Sequence, residues 1–220
     1  MLHNSILQKV WKLVFIWAVI SFIILSIAKV WDVVIYGITY CFIFGGLLYK
    51  FRNKIGRALE KLHFKNFIGF ALLVTFLTVI EELYVLKLSG PEALAHPTLW
   101  VNLVLVSSFW LVWLSTWYFY LSKKYVFTKE QAILTAGFSG IMYELVGTLK
   151  IFDINAVLFI TPISILVYAT VAIIPMQLID FTGQKDSKAK YLISVVLPFL
   201  ITIPVALILY FIFIAIGVPI

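Results

Sequence analysis

The chain has 220 residues, of which 63% are apolar and only 12% are charged, and its mean hydropathy is +1.08. Soluble domains carry about a quarter of their residues as Asp, Glu, Lys and Arg, so this composition excludes an ordinary soluble domain. The formal net charge of +7 does not indicate nucleic-acid binding, because the basic residues lie in short clusters between apolar runs, as they do in loops beside a membrane.

Seven apolar runs follow one another along the chain, each close to the length of about 20 residues that crosses a bilayer. They predict an all-α integral membrane protein, a bundle of seven transmembrane helices that forms a single polytopic domain over residues 1–220. The predicted spans cover residues 13–28, 33–49, 66–86, 98–121, 131–149, 156–179 and 191–218.

Basic residues near span ends orient membrane helices, with the richer side in the cytoplasm. Placing the N-terminus in the cytoplasm and the C-terminus outside puts fourteen of the seventeen Lys and Arg residues in inner segments and three in outer segments. The sequence therefore predicts a multi-pass protein of the cell membrane. The inner set is Lys9, Lys12, Lys50, Arg52, Lys54, Arg57, Lys61, Lys65, Lys123, Lys124, Lys129, Lys185, Lys188 and Lys190, and the outer set is Lys29, Lys87 and Lys150.

Local signals add detail to these spans. Thr128 has the character of a helix N-cap for the fifth span, with Lys129-Glu130-Gln131 in its first turn. The basic residues 50–65 are expected to contact anionic lipid headgroups at the inner surface. Ser26-Ile27-Ala28 also fits a signal-peptidase site, so the sequence leaves cleavage of the first span open.

A cofactor is not predicted. Cys41 is the single cysteine of the sequence and lies within the second span, which excludes an internal disulfide. The cysteine and the three histidines do not have the spacing of a zinc site.

Three acids inside predicted spans are the main candidates for an ion- or proton-binding site. Glu81 and Glu82 precede Lys87 by six and five positions, and Glu144 precedes Lys150 by six. At 1.5 Å per residue, these acids lie roughly 7–9 Å inward of the lysines. Since the third and fifth spans run in the same direction, the acids are expected at one depth in the outer half of the membrane. Acids within a membrane are costly, and this makes them functional candidates.

Helical spacing suggests which faces carry these acids. Ala136, Gly140, Glu144 and Gly147 fall on one face of the fifth span, and small residues at this spacing indicate packing against another helix. Glu144 is therefore expected to point into the bundle.

In the third span, Thr75, Thr78 and Glu82 form a polar stripe. Adjacent residues are about 100° apart on a helix, so at most one of Glu81 and Glu82 is expected to point fully inward. Glu82 and Glu144 are then expected to share a proton.

Other polar residues fall at a similar level and suggest a pocket that opens outward. His96, in the outer loop, is expected to be solvated or to join the acids in a pH-sensitive or metal site. Asn155 and Ser164 lie along the sixth span. The supporting candidates are Asp32, Tyr36, His96, Asn102, Thr161 and Tyr168.

Two short patterns suggest proteases. Glu81-Glu82 resembles the di-glutamate motif of the CAAX-protease family, but Leu86 stands where that pattern has an arginine, and no histidine lies within a span. Gly137-Phe138-Ser139-Gly140 resembles the serine motif of rhomboid proteases, which need a histidine base from a later span; the last two spans contain none. Helix packing through small residues explains the same letters.

Three functions remain open at this level. The preferred hypothesis is a small transporter or permease-like protein in which Glu144 or Glu82 binds a cation or carries a proton. A membrane-embedded hydrolase or lipid-modifying enzyme with the same acids is an alternative, as is a non-catalytic subunit of a membrane complex.

Overall fold

A computed structural model describes residues 2–218, with side chains described from residue 6 onward. This part of the chain is helical and contains no β-strand. Long helical segments account for most of it, and shorter helical turns connect some of them. They are α1 (Leu2–Ile27), α2 (Trp31–Lys61), α3 (Phe67–Ser89), α4 (Leu99–Lys124), α5 (residues 129–146), α6 (Ala156–Ala172) and α7 (Ala189–Ala215).

Five of these helices, α1, α2, α3, α4 and α7, are long and apolar enough to cross a membrane. Their outward surfaces are apolar: Ile23 of α1 and Phe211 of α7, for example, are 56% and 65% exposed. Contiguous apolar surface of this extent is not stable in water. The chain is therefore a membrane protein.

The two shorter helices, α5 and α6, form the centre of the bundle and are the most extensively packed pair. Within residues 161–172 of α6, every residue except Leu166 is buried. A Cβ atom on Gly137 or Gly140 of α5 would lie within 3.0 Å of α6 atoms, so the backbones approach closely because these residues lack side chains. The prediction that the small residues of α5 form a packing face is confirmed.

Parts of three segments predicted to be cytoplasmic meet at one end of the bundle, here called the basic end and formed by residues 61–66, 122–130 and 177–190. Lys65 pairs with Asp180 at 2.8 Å, and the Lys129 ammonium donates to the Gln177 carbonyl at 2.9 Å. The backbone N–H of Val126 donates to the Lys185 carbonyl at 3.1 Å.

At the opposite end lie residues 90–98 and 147–153, here called the loop end. α3 runs from the basic end to the loop end, where Gly90, with φ of +83°, terminates it. α5 runs in the same direction and begins with the predicted N-cap: Thr128 accepts from the Gln131 N–H, and the Gln131 side chain accepts from the Thr128 N–H. This capping box confirms the prediction made for Thr128.

Three predicted boundaries are corrected. α2 continues through Lys61, so most of the basic stretch extends the second helix. α6 ends at Ala172 instead of residue 179, because Pro175 has no N–H to donate and begins a separate short helix, Pro175–Leu178. α5 ends at Val146, and Leu149 follows in the left-handed conformation with φ of +59°.

Candidate functional site

A cavity of about 1010 Å³ lies among α2 to α7 and reaches the loop end. All three predicted acids line it: Glu81 and Glu82 from α3, and Glu144 from α5. Lys150 and residues 92–95 line the part of the cavity nearest the loops. The structure therefore brings together, around one space, the three carboxyl groups that the sequence places at one depth.

Glu81 and Glu82 are both buried, each with 6% of its surface exposed, and both face the cavity. The Tyr36 hydroxyl of α2 donates to Glu81 Oε1 at 2.6 Å, and Asn102 Nδ2 of α4 donates to Glu82 Oε2 at 2.5 Å. The expectation that at most one of the two would point inward is wrong. The 100° between neighbouring side chains directs Glu81 toward α2 and Glu82 toward α4, and the cavity extends between those helices.

The two adjacent carboxyl groups are buried side by side in the lining of one cavity. Two negative charges this close to each other repel, so a single proton shared by the pair is favoured. The sequence predicts that Glu82 shares a proton with Glu144, and the lining of the cavity makes Glu81, the neighbour of Glu82 in the chain, a third member of this group.

Glu144 approaches the cavity from a π-helical turn, Met142–Val146, at the end of α5. The turn closes with a hydrogen bond from the Gly147 N–H to the Met142 carbonyl at 2.8 Å. π-helical turns of this kind often occur at functional sites. The Tyr168 hydroxyl of α6 donates to Glu144 Oε1 at 3.1 Å.

An aromatic wall, formed by Trp110, Tyr143 and Tyr168, stands beside Glu144. The Tyr168 ring lies between the other two, at 5.6 Å and 19° from Tyr143 and at 5.5 Å and 34° from Trp110. The Tyr143 and Thr202 hydroxyls lie 2.9 Å apart, which ties this wall to α7. Trp110, Tyr143 and Thr202 were not candidates in the sequence, since aromatic residues are common throughout these helices.

The charges around the cavity are predominantly negative. Within the described residues, no Lys or Arg nitrogen lies within 4.0 Å of a carboxyl oxygen of Glu81, Glu82 or Glu144. Lys150 interacts with Glu144 electrostatically but is exposed at the loop end. The acids are thus stabilised mainly by hydroxyl and amide donors. Negative charge on them is not balanced by an ion pair with a basic side chain in the described part of the chain.

The other predicted residues divide into those beside the acids and those away from them. Tyr36, Asn102 and Tyr168 bind the acids directly. Asp32 is exposed and does not line the cavity, and Thr161 is buried outside its lining.

His96 differs from its expected solvated state, because it is buried and its Nδ1 accepts from the Thr98 N–H at 3.0 Å. The predicted polar stripe on α3 is also wrong at Thr75, which is exposed. Ser164 lines the cavity but donates to the Ile160 carbonyl, and Asn155 is exposed.

The described residues do not form the geometry of a serine protease or of a metal site. Ser139 is buried, and its hydroxyl has no hydrogen-bond partner among the described residues, so no base is placed to take its proton. In the same part of the chain, no three His, Cys, Asp or Glu side chains are grouped so that they could hold a metal ion.

Comparison of the chain with protein-family models, with curated proteins and with solved structures gives no match.

Proposed function

We propose that this chain is a small permease-like protein of the cell membrane that takes a cation into the acidic cavity in exchange for a proton. The observation that carries the proposal is the convergence of Glu81, Glu82 and Glu144 on one cavity, in which the first two are adjacent and buried. Carboxyl groups within membranes commonly serve as ion pathways and proton relays.

The exchange follows from charge balance. Without a cation in the cavity, a proton held by the Glu81–Glu82 pair, which we place on Glu81, reduces the repulsion between the two adjacent carboxyl groups. A cation that arrives between Glu82 and Glu144 supplies the positive charge that this proton provided. Glu81 can then release its proton, and Tyr36 remains as a donor to the resulting carboxylate. When the proton returns, the cation loses its counter-charge and is released.

The proposed topology has seven spans with the N-terminus in the cytoplasm. Its support is that residues 61–66, 122–130 and 177–190, which carry many of the Lys residues, contact one another at the basic end, whereas the cavity that the acids line reaches the loop end. α5 and α6 are included as spans because they connect the two ends. Long neighbours surround them, so they need not cover the full thickness of about 30 Å with apolar side chains.

The basic face of α2 is proposed to bind anionic lipid headgroups. Lys54, Arg57 and Lys61 are exposed at its inner end and lie at i, i+3 and i+7, on one side of the helix. A cluster of this kind beside an anionic leaflet gains about 1 kcal/mol per basic residue.

Proteoliposomes test the exchange. The purified chain is reconstituted with an entrapped pH-sensitive dye, and the vesicles are diluted into sodium, potassium or tetraethylammonium chloride. We expect at least one cation to raise the internal pH faster than it does in protein-free liposomes. Glu144→Gln should abolish this flux, because it removes a charge from the cavity. Asp32→Asn removes an exposed acid outside the cavity lining and should leave the flux unchanged.

The exchange proposal is wrong if none of the three cations moves protons faster through wild-type vesicles than through vesicles that contain Glu144→Gln. It is equally wrong if both variants slow the flux to the same extent.

A further inference from the structure

We infer that the ligand of the cavity is an amphipathic organic cation: an ammonium- or phosphonium-like centre that carries apolar substituents. This inference rests on the proposed cation exchange and names the class of cation. Three features carry it, namely the size of the cavity, the aromatic wall beside the acids and the apolar surface that α7 presents to the same space.

The size of the cavity favours a bulky ligand over a bare metal ion. Hard cations need about six to eight oxygen ligands within about 2.6 Å, whereas the described residues contain no group of three ligating side chains that could hold a metal. The volume of about 1010 Å³ is instead at the upper limit of pockets for drug-sized molecules, which have volumes of about 300–1,000 Å³. A ligand that fills this cavity must therefore be a large molecule.

The aromatic wall supplies a face for a diffuse positive charge. The Tyr168 hydroxyl donates to Glu144, and the Tyr168 ring is covered by the rings of Tyr143 and Trp110. Tyr143 also lines the cavity and is only partly buried, so we assign the accessible ring face to Tyr143. The face of an aromatic ring is negative, and organic cations without strong hydration bind such faces when a site excludes water. Glu144 and the wall thus attract the same centre, one through its charge and the other through its ring quadrupole.

The remaining lining accommodates apolar substituents. α7 contributes Ile203, Ala206 and Leu207 to the cavity, and α4 contributes Val106 and Phe109. These side chains offer no hydrogen bonds, so they favour carbon-rich groups over a hydrated ion. A ligand whose charge lies at Glu144 and whose substituents reach α7 would satisfy both surfaces.

Lys150 opposes this binding at the loop end. Its ammonium is exposed and lines the cavity, where it interacts with Glu144 at longer range than an ion pair. It therefore competes weakly with an arriving cation for the same carboxylate. Removing this charge should strengthen cation binding, whereas it should have no such effect on a neutral ligand.

Tetraphenylphosphonium and tetraphenylborate give the sharpest test, since they share size and shape but carry opposite charge. Equilibrium dialysis of each radiolabelled ion against the purified chain, with protein-free detergent as the blank, measures binding directly. We expect saturable binding of the phosphonium at one ion per chain and no saturable binding of the borate. Binding of the borate as tightly as the phosphonium would overturn the inference.

Matched variants locate the site. Glu82→Gln combined with Glu144→Gln should weaken phosphonium binding by roughly tenfold or more, because it removes the charge attraction, and Asp32→Asn should leave it unchanged. Tyr143→Phe keeps the ring and should retain most of the affinity, whereas Tyr143→Leu should lose it. Lys150→Gln should raise the affinity. Unchanged affinity in the doubly substituted variant, with its elution profile as wild type, would contradict the site.

The two proposals fail separately. Proton flux with sodium or potassium, but neither flux with tetraethylammonium nor binding of the phosphonium, would remove the organic-cation inference and leave the exchange. Phosphonium binding that depends on Glu144, without proton flux, would leave the ligand class and remove the exchange.

Discussion

Asn102 connects the acidic cavity to the loop above it. Its side chain is fully buried; Nδ2 donates to Glu82 at 2.5 Å, and Oδ1 accepts from the His96 N–H at 3.3 Å. A buried amide that uses both its donor and its acceptor fixes its neighbours, because each unmade bond would leave a desolvated polar group. Asn102 therefore sets the position of Glu82 within the cavity.

Asn102→Asp should destabilise the protein by about 1–3 kcal/mol near neutral pH, because it replaces the donor to Glu82 with a second acceptor. The loss should shrink at low pH, where a protonated Asp can donate again. Thermal unfolding in detergent between acidic and neutral pH measures the effect. Asn155→Asp, at an exposed position, is the control. Equal melting temperatures for the two variants across this pH range would contradict the role given to Asn102.

Individual residues of the site were largely predictable, because a polar side chain within an apolar run is conspicuous. Glu81, Glu82, Glu144, Tyr36, Asn102 and Tyr168 were identified in this way, and they meet as hydrogen-bonded partners. Their pairing was not predictable, since it depends on the rotation of each helix about its axis. The burial of His96 was also missed, because nothing local indicates that a loop folds over the bundle.

At the scale of the helix, contact between α5 and α6 determines where Glu144 lies. A Cβ atom on Gly140 would be 2.8 Å from the Ser164 carbonyl oxygen and 2.9 Å from Tyr168 Cδ2. Tyr168 also donates to Glu144, and Glu144 lies one turn beyond Gly140 along α5. Close packing at Gly140 and the position of the acid are therefore linked.

Gly140→Leu should damage the protein more than Ser139→Ala. The leucine side chain would separate α5 from α6, at a cost of about 1–3 kcal/mol or more. Alanine at position 139 removes only a buried hydroxyl that has no hydrogen-bond partner among the described residues. Melting temperatures in detergent and the yield of monodisperse protein measure both effects. A folded Ser139→Ala protein without flux, beside an active Gly140→Leu protein, would revive the nucleophile hypothesis.

The π-helical turns were not predictable from the sequence. Met142–Val146 and Gly37–Phe44 have ordinary apolar compositions, and periodicity cannot reveal one extra residue per turn. Packing decides such features after the helices meet. The turn that carries Glu144 therefore depends on the assembled bundle. The face of small residues that precedes this turn in α5, by contrast, was predicted from the helical spacing.

At the scale of the molecule, the membrane class follows from composition, whereas the arrangement of the helices does not. Five helices satisfy the length and hydropathy of a span. α5 carries Lys129, Glu130 and Glu144, and α6 is short, yet both lie at the centre with most of their residues buried. Their burial frees them from the requirement to be long and apolar. Apolar runs can be counted from the sequence, but the sequence does not show which of the resulting helices will be surrounded by other helices.

Single cysteines in a Cys41→Ser background test the proposed topology. Lys61→Cys and Lys188→Cys, at the basic end, should be protected from an impermeant thiol reagent in intact cells. Glu92→Cys and Asp153→Cys, at the loop end, should react. All four positions are exposed, so permeabilised cells should label every variant. Labelling of Lys188→Cys in intact cells would contradict the seven-span arrangement.

The central claim is that the acids form one proton-bearing cavity, and infrared difference spectroscopy across a pH titration tests it most directly. A protonated carboxyl band should be present near neutral pH and should disappear as pH rises. Glu81→Gln should remove it, because Glu82 then has no adjacent buried carboxyl group with which to share a proton. Asp32→Asn should retain it. A wild-type protein without a protonated carboxyl band near neutral pH, or a band that persists in Glu81→Gln, would contradict the account.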